Sequence, residues 1–184
     1  MESVVSTSFV NNKRNILDEW YKCMVSSLYN NDETNYIMNE KDSFINPSAF
    51  ILKNVLADIF GYLFEKTELD KINGSLEKFT KLLALKGTDT EKVLGPLFLL
   101  KSKIVANVES LYLSDKGYSE ISKILSCFDR VILKIFDLYL KAREKIYEIR
   151  VNEVKRLTFS LLRANNLVEK IPEFNVGGLN SNEL

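Results

Sequence analysis

Histidine is absent from all 184 residues. Its absence removes the commonest general base, the commonest zinc ligand and the ordinary proximal ligand of a globin haem. Two cysteines remain, Cys23 and Cys127, both on apolar helical stretches where a thiol reads as a small buried hydrophobe. They form no CxxC motif and leave a disulfide open, although two cysteines with no secretion signal fit a reduced compartment better. Net charge is missing too: 25 Lys and Arg balance 25 Asp and Glu, so no field draws in nucleic acid or an acidic membrane. Long hydrophobic runs are also lacking, because Lys53 and Asp58 interrupt the best candidate short of the roughly 18 residues that span a bilayer. The opening MESVVSTSFV precedes Lys13 and Arg14, the reverse of the order in a signal peptide. These absences lead to the expectation of a cytoplasmic protein without membrane insertion, cofactor, metal or nucleic-acid partner. With no nucleophile–base pair or paired carboxylates at a motif spacing, an enzyme is not expected.

What is present is a folded chain: 46% hydrophobic and 27% charged, with seven Gly and three Pro, one domain by size and poor in turns. Apolar residues recur at helical spacing throughout. Ile16, Trp20, Met24 and Leu28, flanked by Leu17 and Tyr21, predict a first helix over about 8–28, with Trp20 in the core and Asn30-Asn31-Asp32 as its stop. After a polar loop, Asn46-Pro47 announces a second helix to about Phe64: Asn46 caps the free N–H groups and Pro47 fits the first position. Phe50, Ile51, Leu52, Val55, Leu56, Ile59, Phe60 and Leu63 give this helix a stripe too broad for one interface, which places it at the centre of the fold.

Thr67 and Asp70 have capping-box spacing. Asn73-Gly74 reads as an interruption, and Ser75 as the start of a third helix with Leu76, Phe79, Leu82 and Leu83 on one face. Gly87 stops that helix by a left-handed cap. Thr88 and Glu91 open a fourth helix to about Tyr112, in which Gly95-Pro96 forces a kink or restart; Leu97, Leu99, Leu100, Ile104 and Val108 carry its apolar face. From about Tyr118 to Asn165 there is neither Gly nor Pro, roughly 70 Å of helix if unbroken. Ile121, Leu125, Phe128, Ile132, Ile135, Tyr139, Ala142, Ile146 and Ile149 form a heptad seam along it. The expected architecture is an all-α bundle of about five helices, one domain over 1–166, with a polar tail over 167–184.

Three stretches carry a resemblance. They are Ile16-Leu17-Asp18-Glu19-Trp20, Lys41-Asp42-Ser43-Phe44-Ile45-Asn46-Pro47, and the run FDLYLKAREKIYEIRVNEVKRLTFSLL from Phe136 to Leu162. With them the chain resembles, up to about Asn166, the N-terminal sensor domains of the RsbR family, the stressosome co-antagonists of RsbT, in their stand-alone form. The resemblance implies a globin-like fold without haem, paired into dimers, that senses or relays a signal in a stress response. RsbR proteins carry a phosphorylatable STAS output domain after the sensor. Here residues 167–184 follow instead, so the output is expected to be a partner protein.

Two readings of the candidate residues follow. In a sensor, a small apolar ligand occupies the space that haem fills in true globins, walled by Phe50, Phe60, Phe64, Phe79 and Phe98; the competing reading is that these rings simply fill the core. Ile146, Ile149, Val154, Leu157 and Leu161 would pair two copies. In a ligand-free scaffold or adaptor, the long helix docks on a larger complex through Arg143, Tyr147, Arg150, Glu153 and Arg156, unless these form an ordinary solvated face. The missing histidine generates a first prediction. The purified protein should show no stoichiometric Soret band in its absorption spectrum, and such a band would overturn this reading and point to a thiolate or other unusual ligand.

Overall fold

The computed structural model describes residues 4–39, 46–109 and 115–164. They form α1 (Val4–Asn11), α2 (Lys13–Leu28), α3 (Asn31–Asn39), α4 (Pro47–Phe64), α5 (Leu69–Leu85), α6 (Thr90–Glu109) and α7 (Asp115–Ala164). With 92% of these residues helical and no strand among them, the fold is all-α. There are seven described helices rather than about five, and the two extra ones come from asparagines. Asn12 leaves helical backbone (φ −102°, ψ 12°) and splits the expected first helix into α1 and α2; asparagine side chains compete with helical hydrogen bonding and favour such breaks. Asn30 does not merely stop α2. Its side chain accepts from the Glu33 N–H at 2.9 Å while the Glu33 carboxylate accepts from the Asn30 N–H at 3.4 Å, a reciprocal cap that starts α3 where a loop was expected.

The helix α4 packs against α1, α2, α3 and α5, as its broad stripe requires. Leu52, Val55, Leu56, Ile59, Phe60, Leu63 and Phe64 are buried, whereas Phe50 is exposed and Ile51 half-buried. By length and composition α4 could cross a membrane, since Lys53 and Asp58 do not lower its mean hydropathy below 1.2; half of it is buried among the protein's own helices. Its start is held by Asn46, which accepts from the Ala49 N–H at 3.0 Å and donates to the Ile37 carbonyl at 3.3 Å. That carbonyl also accepts from the Tyr21 hydroxyl at 3.1 Å, so one α3 oxygen ties together α2 and the α4 cap. The residues before Asn46 in the 41–47 stretch lie outside the described residues.

The sequence-expected break at Asn73-Gly74 does not occur, and α5 runs through it. A mid-helix glycine costs about 1 kcal/mol. Burying Ile72 and Leu76 on either side gains roughly 1.5–3 kcal/mol each, so packing wins. The Thr67–Asp70 capping box is likewise not formed: Glu68 is the cap residue without a side-chain bond, and Asp70 accepts from Asn73 instead. Gly87 does take the left-handed conformation, φ +69°, and the Gly87 and Thr88 N–H groups close on the Ala84 and Leu83 carbonyls. The helix α6 starts at Thr90 rather than Thr88 and passes through Pro96 without restarting, held by buried Val93, Leu97, Leu100 and Ile104; Leu99 is exposed. Its expected end near Tyr112 lies outside the described residues.

Within α7, Phe128, Ile132, Ile135 and Tyr139 of the seam are buried, and Ile121, Leu125, Ala142 and Ile146 pack half-buried against the core. Ile124 and Val131, outside the seam, are buried as well, because a straight helix drifts about 20° per heptad away from a strict seven-residue repeat. Two compact units are distinguished, Met1–Ile146 and Tyr147–Leu184, where one domain to Asn166 was expected; the tail from 167 lies outside the described residues. Trp20 centres the first unit: its ring lies 6.0 Å from Phe60 and 6.4 Å from Phe128.

Asn46→Ala should lower the unfolding free energy by about 1–2 kcal/mol, the cost of a lost N-cap plus one lost side-chain bond. Asn46→Asp keeps the acceptor for Ala49 and should lose less. Urea unfolding of the two variants checks the order.

Candidate interaction surface

The five phenylalanines proposed as pocket walls separate into two groups. Phe60, Phe64 and Phe79 are packed core side chains: Phe64 stacks on Phe9 at 4.4 Å and meets Phe60 at 4.8 Å. Phe50 and Phe98 are 53% and 52% exposed. Phe50 borders an open groove of about 340 Å³ between α4 and α5, shared with Ile51, Ala57 and the polar Asn54, Asp58 and Lys78. The structure therefore does not gather the five around one cavity, and the core-filling reading holds for the middle three. Sequence periodicity could not separate them, because Phe50 shares the helical stripe of α4 yet falls at its edge in the first turn.

Several polar groups of the first unit hold the helices together. Burial pushes the Tyr21 phenol above its ordinary value, and the neutral hydroxyl donates to Ile37. Burial, reinforced by the charge of Glu33 and opposed by a hydrogen bond with Ser48, does the same to Tyr29. Tyr62 is raised by burial and by its neighbour Cys127, with Arg130 opposing. Cys23 and Cys127 are free and half-buried. Among the described residues no group of three or more His, Cys, Asp or Glu is placed to hold a metal ion.

The second unit differs. Every described residue from Tyr147 to Ala164 is exposed except the half-buried Leu162. Its apolar side chains remain wet, Ile149 at 49%, Val154 at 62% and Leu157 at 65% exposed, with Leu161 also exposed. Of the surface residues named from sequence, Tyr147, Arg150, Glu153 and Arg156 are exposed here, whereas Ile146 and Arg143 belong to the first unit. Ile146 packs on the core, and Arg143 donates to the Tyr139 hydroxyl oxygen at 3.1 Å. Both thus face their own domain.

Val151 and Phe159 are exposed hydrophobics that the sequence reading missed. The signal for Val151 is a second register. Tyr147, Val151, Val154, Thr158 and Leu161 follow spacings of four and three, one residue later than the core-facing seam at Ile146. Thr158 belongs to the row, its hydroxyl bonded back to the Val154 carbonyl at 2.9 Å. Glu153, Arg156, Leu157 and Ser160 line a shallow groove of about 320 Å³ beside it.

Comparison with protein-family models, curated proteins and solved structures returns no match. The class defined by the structure is an all-α protein with a long C-terminal helix whose last turns carry exposed hydrophobics. The resemblance to RsbR sensor domains rests on the quoted stretches. Burial generates a prediction here: Phe79→Ala should cost about 3–5 kcal/mol of stability, while Phe50→Ala and Phe98→Ala should stay within about 1 kcal/mol. Chemical denaturation of the three variants decides, and a large loss at Phe50 would show a packing role not visible at an exposed ring.

Proposed function

We propose that the protein is a non-enzymatic regulatory module of the haem-less, globin-like RsbR N-terminal type, acting in signal transduction by pairing with a second copy and contacting a partner protein. The exposed apolar side chains between Tyr147 and Leu161 carry this reading. Each such side chain is worth roughly 1.5–3 kcal/mol when fully buried, and isolated helices gain little from propensity alone, so a helical segment of this kind is stabilised chiefly by what packs on it. A second copy supplies a helix with the same heptad spacing, and two-fold pairing is the commonest closed assembly. The balanced charge and the flanking arginines suit a protein surface rather than nucleic acid or lipid, consistent with a cytoplasmic location.

The filled core supports the module without a small apolar ligand, because Phe60, Phe64 and Phe79 occupy the interior that such a ligand would need. This brings the scaffold reading close to the sensor reading, the difference being whether any input is chemical. Native mass spectrometry separates them: a retained small molecule restores the ligand-binding sensor, and the bare chain mass supports the ligand-free module.

Pairing is tested by Val154→Asp combined with Leu157→Asp. Both side chains are exposed, so the double variant should keep its helical fold while sedimenting as a monomer in analytical ultracentrifugation, with a lower thermal transition because the stabilisation from pairing is lost. Wild-type protein that already sediments as a monomer at micromolar concentration would end the reading.

A further inference from the structure

Tyr139 and Trp20 are the two largest fully buried side chains, yet Tyr139 alone of the buried α7 residues carries a polar group. Its hydroxyl donates to the carbonyl of Thr88 and accepts from Arg143 one turn later at 3.1 Å, with the guanidinium 5.9 Å from the ring centre. Thr88 sits in the turn between α5 and α6, outside either helix, so its carbonyl takes this side-chain bond in place of a helical one. The same turn is stiff, closed by the left-handed Gly87 and by the Gly87 and Thr88 N–H bonds to α5. Two residues before Thr88, the Lys86 ammonium lies 4.0 Å over the Tyr29 ring and 3.9 Å from the Glu33 carboxylate. Tyr29 and Glu33 flank the α2–α3 junction, and Glu33 is half of the cap that starts α3.

The turn from Lys86 to Asp89 thus touches the α2–α3 junction on one side and α7 on the other. The other buried anchors of α7, Ile124, Phe128, Val131, Ile132 and Ile135, are apolar and non-directional. Its other polar ties to the core helices, Glu120 accepting from Ser6 at 2.9 Å and Asp129 from Lys101 at 2.6 Å, lie ten or more residues before Tyr139. The Tyr139 bond is directional and fixes the orientation of the last buried turn of α7. We propose that the α5–α6 turn is a relay and that Tyr139 is its contact with α7, so that a change at the α2–α3 junction reaches residues 140–146 through Lys86, Thr88 and the Tyr139 hydroxyl. Tyr139 is a positioning residue in this scheme. The proposal rests on the regulatory reading only in taking α7 as the output; its test lies wholly within the Met1–Ile146 unit and does not depend on pairing.

Amide hydrogen exchange on the full chain tests it, comparing wild type, Lys86→Ala, Tyr139→Phe and the double variant. Each single change should speed exchange of amides 140–146 by about fivefold, the factor for a hydrogen bond worth about 1 kcal/mol, with amides of α4 at 52–60 unaffected. In the double variant the effect should be no larger than in Tyr139→Phe, since residues in one network are non-additive. Effects that add in the double variant, or a Tyr139→Phe effect spread evenly over α4 and α7, would reduce Tyr139 to a packing residue and overturn the relay. If Tyr139→Phe does not fold, Lys86→Ala alone still decides. Lys86 is exposed, and unchanged exchange at 140–146 in that variant rejects the proposal.

Discussion

The packing of Trp20 between Phe60 and Phe128 is the constraint on which the first unit depends. It joins α2, α4 and α7 at one point, with ring centres 6.0 and 6.4 Å away in the tilted geometry that aromatic pairs prefer. Because Trp20 and Phe128 lie over 100 residues apart in sequence, this contact sets the separation of the N-terminal and C-terminal parts of the unit. The neighbouring layers then follow. Phe60 passes the contact to Phe64, and Phe64 to Phe9 of α1. A substitution at Trp20 would open a void touching three helices, in an interior packed as densely as an organic crystal.

Polar tie points then decide orientation, a task that apolar burial performs poorly. The Ile37 carbonyl takes hydrogen bonds from both Tyr21 and Asn46, and the Thr88 carbonyl takes one from Tyr139. Each ties a carbonyl at a helix end or turn to a side chain on another helix. Buried carbonyls of this kind need a partner, and each partner chosen here belongs to a different helix, so satisfying the backbone also fixes the arrangement. Surface ion pairs do less. Lys13–Glu65 is short at 2.7 Å but a third exposed, and pairs of that kind contribute up to about 1 kcal/mol.

The helices and their buried faces were legible in the sequence wherever period and capping agreed. Asn46-Pro47, Gly87 and the core positions Ile16, Trp20, Met24 and Phe128 fall where the pattern put them. Misreadings cluster at asparagine and glycine. Asn12 broke a helix and Asn30 started one, while Asn73-Gly74 broke nothing because the flanking Ile72 and Leu76 are held by α4. Local chemistry proposes each boundary and tertiary burial disposes of it, which no single-segment reading captures. The candidate surface was half legible. Val154, Leu157 and Leu161 are legible as apolar residues one step out of the seam, whereas Val151 is not, because it stands among charged neighbours. The bond from Arg143 to Tyr139 at 3.1 Å depends on a side-chain geometry that spacing alone does not give.

The change of register in α7 carries the most functional weight. From Ile121 to Ile146 the helix keeps one seam, and its members are buried or half-buried against the protein's own core. From Tyr147 the apolar row resumes one residue later and is exposed. A heptad repeat keeps its face toward whatever it packs on, and a step in register turns that face around the helix. On the proposal of pairing, the first register serves the domain itself and the second serves the partner helix. Tyr147, Val151, Val154, Thr158 and Leu161 recur at spacings of four and three, with the exposed Ile149, Leu157 and Phe159 outside that row. Tyr139 and Arg143 lie one to two turns before Ile146, where the seam packed on the domain's own core ends, so the directional bond between them sits close to the step in register.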